Sequence, residues 1–379
     1  MKIAHLVFQI TKIGGIATVA HELTGGLKDL GHNVTTYYIS NNKKILPDPP
    51  SFADESIGYM STELINQSIS KLSNYDLLIF DPPCPTITKS YKTRVWQEFY
   101  NNERLPDKKI IVTHDPFLKL FYPWLLEVRK KVTGVAAVQK RAYVPLLPYF
   151  QNILITNHYV NLKDMGTYDD KKEDLTICPH QFRTWKHVDM FIRAIPEIES
   201  ETEVFNGGIE QCYMSGTKRK EIYKNPDGTW IWENAIDNGM KYRGFVSNQE
   251  IDNAYKRAKS VIDFSVVESG SKIPQVDKLL NYVPLLAMKY GAVPIVRECS
   301  LLPPITEKNV VVVDEDNLQK SIPKKINEVN SNFDSYSDMI KRNHKLLEKH
   351  FDRAENAKKL LSLLDNPNQN PHPVQGSLF

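Results

Sequence analysis

Two successive α/β domains, each a doubly wound and mostly parallel sheet, are the fold class this sequence predicts. Three observations predict it. The chain opens on strand, glycine turn, helix and strand. The same rhythm restarts after a polar stretch near residue 170. A length of 379 residues is too great for one ordinary domain and suits two of about 150–200.

Residues 2–9 (KIAHLVFQ) read as a buried strand and Gly14-Gly15 as the turn that follows it. Residues 16–31 (IATVAHELTGGLKDLG) then place apolar side chains at helical spacing, with Gly31 as the stop. Residues 33–39 (NVTTYYI) complete a βαβ unit, a connection that requires parallel strands. The stretch 41–56 reads as a surface loop. LLIF (77–80), KIIVTH (109–114) and NILIT (152–156) are further buried strands.

The polar run GTYDDKKE (166–173) marks the expected hinge. Beyond it come LTICP (175–179), TEVFNG (202–207), MKYRGF (240–245), SVIDFS (260–265), AVPIV (292–296) and NVVVVD (309–314), with helices expected over 248–259 and 276–290. One or two helices are expected over 333–364, and a disordered tail, NPNQNPHPVQGSLF, after them. The expected domains are therefore 1–168 and 169–345, with a C-terminal helix and tail at 346–379.

Hydrophobic residues make up 41% and charged residues 25%, ordinary values for a soluble globular protein. A net charge of +3 does not by itself indicate a nucleic-acid partner. No run approaches the roughly 18 apolar residues of a membrane span, and the N-terminus lacks the cleavage pattern of a signal peptide. Cys84, Cys178, Cys212 and Cys299 are scattered, without metal or redox spacing, so no metal site is expected and a reducing cytoplasm fits best.

Open parallel sheets bind ligands at the carboxyl ends of their strands, and two such domains imply a ligand in a central cleft. The candidates therefore lie just past strands. Gly14 and Gly15 would let the backbone approach an anionic group at a helix N-terminus; a tight turn without a ligand explains them equally well. In QFRTWKH (181–187), Arg183 and Lys186 supply a planar fork and a point charge suited to a diphosphate, or a solvated basic turn. In FNGGIE (205–210), Glu210 follows a glycine turn and can accept hydrogen bonds from a ribose or base; a surface turn with a solvated glutamate explains it equally well.

His114-Asp115 ends a strand, where the pair can orient a hydroxyl or move a proton. Asp115-Pro116 also reads as a helix cap, which leaves His114 the stronger functional choice. Over residues 104–143, nine basic residues face three acidic ones, and Phe117, Phe121, Tyr122, Trp124 and Tyr143 lie among them. That suits a phosphate backbone with an unstacked base, or a solvated face over an aromatic core. Ser247 and Glu250 form a helix capping box, a purely structural motif.

The phrase RGFVSNQEIDNAYKRAKSVIDFS (243–265) and the run LLAMKYGAVPIV (285–296) resemble the C-terminal domain of retaining GT-B glycosyltransferases. A narrower resemblance, to the DNA α-glucosyltransferases of T-even phages, rests on several short pieces. These are the opening strand and glycine loop, Gly31-His32-Asn33-Val34-Thr35, His114-Asp115, FRTWK with Arg183 and Lys186, and Gly291 to Pro294. The resemblance implies a GT-B fold: two Rossmann-like domains facing a central cleft. It implies a UDP-sugar as donor, with no further cofactor, and double-stranded DNA carrying a hydroxymethylated pyrimidine as acceptor, in the cytoplasm of an infected host.

Under that reading Gly14, Gly15, Arg183, Lys186 and Glu210 hold the donor, while His114 and Asp115 face the sugar and the acceptor. Lys119, Arg129, Lys130, Lys131, Lys140 and Arg141 would meet the DNA. The sequence departs from the wider family at Leu286, where a ribose-binding glutamate is expected; Glu268 or Asp277 would have to replace it. Two other readings stand beside this one: a glycosyltransferase acting on a polysaccharide, lipid or protein, and a catalytically silent nucleotide- or DNA-binding protein of the same fold.

Overall fold

The computed structural model describes residues 1–8, 15–40, 49, 53–58, 61–81, 96–114, 129–167, 170–180, 182, 186–205, 223–266 and 281–365. By its internal contacts the chain divides into two compact units, Met1–Asn161 with Phe351–Phe379, and Leu162–His350.

The first unit follows the expected rhythm: β1 (Lys2–Val7), α1 (Gly15–Asp29), β2 (Asn33–Ser40), β3 (Glu55–Gly58), α2 (Thr62–Leu72), β4 (Leu77–Asp81), β5 (Lys109–Thr113), β6 (Gly134–Ala137), α3 (Lys140–Tyr143) and β7 (Ile153–Ile155). Its seven strands lie in the order β3-β2-β1-β4-β5-β6-β7 and pair in parallel throughout. The largely apolar runs of β1, β4 and β5 explain this, because helices over both faces of a parallel sheet bury the side chains of its central strands. The expected loop over 41–56 ends in a strand, β3, and β6 is a strand the apolar pattern does not announce.

The second unit repeats the plan: β8 (Glu173–Cys178), α4 (Val188–Ala194), β9 (Glu201–Phe205), α5 (Ile231–Asp237), β10 (Met240–Gly244), α6 (Asn248–Arg257), β11 (Ala258–Asp263), α7 (Tyr282–Lys289), β12 (Val293–Val296), β13 (Val311–Val312), α8 (Leu318–Ser331) and α9 (Ser337–His350). The order β10-β9-β8-β11-β12-β13 reproduces that of the first sheet. The capping box forms as expected: Glu250 N–H donates to Ser247 Oγ at 3.2 Å, and Ser247 N–H donates to Glu250 at 2.9 Å. The expected strand over 309–314 narrows to Val311–Val312. The C-terminus of α7 ends on Gly291 at φ 66°, a conformation that favours glycine; this accounts structurally for the start of the Gly291–Pro294 segment.

In both sheets the strand order reverses direction beside the first strand, between β1 and β4 and between β8 and β11. That reversal is where sheets of this type gather ligands at their carboxyl ends.

The chain returns to the first unit after His350, so the residues from Phe351 to Leu364 do not stand apart. Helix α10 (Arg353–Leu361) packs on α1. Val160 N–H donates to the Phe351 carbonyl at 2.8 Å, and Asn356 Nδ2 donates to the His158 carbonyl at 2.9 Å. Arg353 bonds Asp29 at 2.7 Å and Glu22 at 3.2 Å, both on α1. The approach depends on Gly26, where a Cβ would overlap the Arg353 carbonyl oxygen, which is backbone and cannot swing aside. Gly26→Ala should therefore destabilise the protein even though alanine raises helix propensity by about 1 kcal/mol. Overpacking against backbone costs about 1–3 kcal/mol, and displacing α10 also loses the Arg353 bonds. A lowered Tm in thermal unfolding is the expected result; an unchanged or raised Tm would show that α10 shifts without loss.

Candidate active site

At the reversal point of the first sheet the last residue of β4, Asp81, is a fully buried acid. Two histidines converge on it. His114, directly after β5, places Nε2 2.5 Å from Asp81 Oδ1. His5, fully buried on β1, places Nε2 3.4 Å from Asp81 Oδ2. His5 Nδ1 meets Thr24 Oγ1 of α1 at 2.9 Å, and Thr24 Oγ1 meets Thr36 Oγ1 of β2 at 2.8 Å. Gln139 donates to the His114 carbonyl at 3.1 Å. Burial opposes the charge on Asp81, but the charges and hydrogen bonds of His114 and His5 outweigh it and hold the carboxyl down to about 2.

The carboxylate accepts the Nε2 proton of His114, so in the neutral ring Nδ1 is left as the acceptor. His114 is only 14% exposed, while Asp81 is fully enclosed. The arrangement is thus an oriented imidazole at the carboxyl edge of a sheet, backed by a charge that solvent does not reach.

The second sheet holds the same device at the equivalent point. Asp263, the last residue of β11, is fully buried. It lies 2.9 Å from His180 Nε2, accepts from the Ser265 backbone N–H at 3.1 Å and from its hydroxyl at 2.5 Å, and accepts from Asn281 Nδ2 at 2.9 Å. Asn281 in turn receives Lys186 Nζ on Oδ1 at 3.1 Å. Burial works against this carboxylate too, yet His180, Lys186 and Ser265 hold it well below the usual range. Burial pushes His180 down, and it pushes the adjoining Cys178 thiol up.

Lys186 is half-buried, just before α4, and the following residue, His187, adopts a left-handed conformation (φ 46°). Gly15 is the first residue of α1, so its backbone stands at the helix N-terminus. Arg129, Lys130 and Lys131 are exposed, Lys140 is exposed at the start of α3, and Arg141 follows it in that helix. Gly14, Asp115, Lys119, Arg183, Glu210, Glu268 and Asp277 lie outside the described residues, as do Phe117, Phe121, Tyr122 and Trp124. Leu286 packs partly buried on the apolar cluster that includes Leu175, Tyr255 and Ala287. Among the described residues no group of three metal-ligating side chains comes together, and no helix is long and apolar enough to cross a membrane.

His5, Asp81, His180, Asp263 and Asn281 escape the sequence reading. The available signal was an aspartate closing an otherwise apolar strand, in LLIFD and again in SVID.

No protein-family model matches the sequence, and neither does any curated protein. Solved structures do match over the whole chain. An α-glucosyltransferase in complex with UDP-glucose and DNA containing an abasic site superposes with a TM-score of 0.70 at 13% identity, covering 97% of this chain and 100% of that one. The same kind of enzyme with UDP and a 13-mer DNA containing a HMU base gives 0.69 at 13% identity, over 97% and 100%. Anabaena HepE in complex with UDP and glucose gives 0.68 at 11% identity, over 96% and 99%.

The fold is GT-B. At these identities the likeness establishes architecture, and the chemistry rests on the residues of this chain.

Asp81→Asn leaves His114 and His5 facing a neutral amide. The Asp81 carboxyl is depressed in the folded state, so its contribution to stability is present above the unfolded value of about 4 and fades as pH falls through about 2. Asp81→Asn should therefore lower unfolding stability at pH 7 by about 2–3 kcal/mol, with the difference narrowing between pH 4 and 2. Chemical denaturation at stepped pH reads this; a pH-independent difference would place the effect in packing instead.

Proposed function

We propose that this protein is a retaining glycosyltransferase that moves a sugar from a UDP-sugar to a hydroxymethylated pyrimidine in double-stranded DNA, in the cytoplasm of an infected host. The observation that carries the reading is the oriented His114 at the carboxyl edge of a GT-B sheet, in a chain whose whole length matches α-glucosyltransferases held with UDP and DNA.

The roles follow from chemistry. Lys186 offers an ammonium to the donor diphosphate, with Arg183 as the planar partner and Glu210 or Glu268 toward the nucleoside. Gly14 and Gly15 bring the start of α1 to the phosphate side. His114 presents Nδ1 to a sugar or acceptor hydroxyl, and Asp115 is the candidate carboxylate beneath the anomeric carbon. In a retaining transfer the departing diphosphate oxygen takes the acceptor proton on the same face. The protein then supplies positioning and charge stabilisation of an oxocarbenium-like state.

The pyrimidine must leave the stack to be reached. Arg129, Lys130, Lys131, Lys140 and Arg141, with Lys119, are the cations this reading assigns to the backbone around it. A second reading, transfer to a polysaccharide, lipid or protein, draws on the nearly equal likeness to HepE, which was seen with UDP and glucose.

Incubation with hydroxymethylated DNA and a panel of UDP-sugars, read by the mass of the digested nucleosides, tests the acceptor. A gain of one sugar is expected. No gain with continuing donor hydrolysis would favour the second reading. His114→Ala should abolish transfer while His114→Gln keeps the fold, as judged by Tm; normal turnover in both removes His114 from the mechanism. Lys186→Ala should weaken UDP binding roughly 10- to 100-fold, the worth of a hydrogen bond to a charged group. An unchanged UDP affinity, measured by calorimetry, refutes the clamp.

A further inference from the structure

We propose that Asn281 is a positioning residue for the phosphate-binding ammonium of Lys186, its own orientation fixed by the buried Asp263 and, behind that, His180. The inference rests on the reading of Lys186 as a donor-diphosphate ligand.

An amide side chain offers two donors at one end and an acceptor at the other, and its environment decides which way round it sits. Asp263 decides for Asn281. The Asp263 carboxylate already accepts two bonds from Ser265 and lies 2.9 Å from His180 Nε2, and as an anion it can only accept, so Nδ2 of Asn281 must face it, at 2.9 Å. The carbonyl end is thereby committed to Lys186 Nζ, at 3.1 Å. His180, enclosed two residues beyond β8, holds the far side of the carboxylate.

The choice of an amide matters. A carboxylate in contact with Lys186 would orient the ammonium and also neutralise it, leaving less charge for a phosphate. A neutral carbonyl orients without neutralising, while the negative charge of Asp263 stays one side chain away. Asn281 is also the residue before α7, an N-cap position at which asparagine usually bonds the backbone. Here its side chain makes no such bond and is turned to Asp263 and Lys186 instead.

Binding of UDP and of uridine, measured by calorimetry on the full chain and on Asn281→Ala and Asn281→Ser, tests the assignment. Serine caps helices as well as asparagine does, but its hydroxyl stops a bond short of both partners. If Asn281 positions Lys186, both variants weaken UDP by about five- to tenfold. Uridine, which carries no phosphate, then binds as before, while both variants lower the Tm because Asp263 Oδ2 gives up the Asn281 bond. Equal losses for UDP and uridine, or no loss for either, overturn the inference and leave Lys186 as a ligand without this support. Failure of the unsubstituted protein to bind UDP overturns the donor reading and the inference together.

Discussion

A carboxylate sealed inside a protein must be compensated where it lies, and this chain seals one at the same place in each of its sheets. Asp81 and Asp263 both end the strand next to the first strand, at the reversal of strand order, and both are fully buried. Leaving such a charge unpartnered costs several kcal/mol. The partners are therefore fixed as firmly as the strands that carry them: His114 and His5 for Asp81, and His180, Ser265 and Asn281 for Asp263. The most constrained polar groups of each unit stand at the edge where a parallel sheet receives its ligands.

The two units use the device differently. In the first, the chain of contacts runs inward from His114 through Asp81 and His5 to Thr24 and Thr36, tying β5, β4, β1, α1 and β2 into one polar seam. Its outer end is an imidazole, able to accept or hold a proton. In the second, the chain runs from His180 through Asp263 and Asn281 to Lys186, and its outer end is an ammonium. One seam ends in a group suited to a hydroxyl, the other in a group suited to an anion. That division agrees with the proposed transfer from a phosphate-bearing donor to a hydroxyl-bearing acceptor.

Much of the architecture was legible in the sequence, because uninterrupted apolar runs between glycine turns have few alternatives to buried parallel strands. β1, β4, β5, β8 and β11 were visible on that ground, and so was the capping box at Ser247. β3 and β6 were not: Glu55-Ser56-Ile57-Gly58 is short and partly polar, and Gly134-Val135-Ala136-Ala137 is made of small residues with little strand preference. The return of α10 to the first unit was equally hidden. It depends on a glycine in α1 and an arginine more than 300 positions later, a pairing that no local pattern carries. Of the candidate site, the outer ends His114 and Lys186 were legible, since they stand in polar sequence after strands. Their supports were not, because a histidine within KIAHLV and an aspartate closing LLIFD look like minor interruptions of an apolar run until the sheet brings them together.

The same distinction separates the buried seams from the exposed cations. The switch-point seams are internal: a change at Asp81 or Asp263 disturbs a buried charge, so the seams resist alteration whatever the substrate. The cations at Arg129, Lys130, Lys131 and Lys140 are exposed, and each can change at little cost to folding. Leu286 belongs to the conservative class as well. It packs on an apolar cluster, so a carboxylate cannot enter there without desolvation. The oriented imidazole and the oriented ammonium thus rest on buried groups, and the exposed cations can change without disturbing either. A fold matched over its whole length at 11–14% identity is the expected consequence.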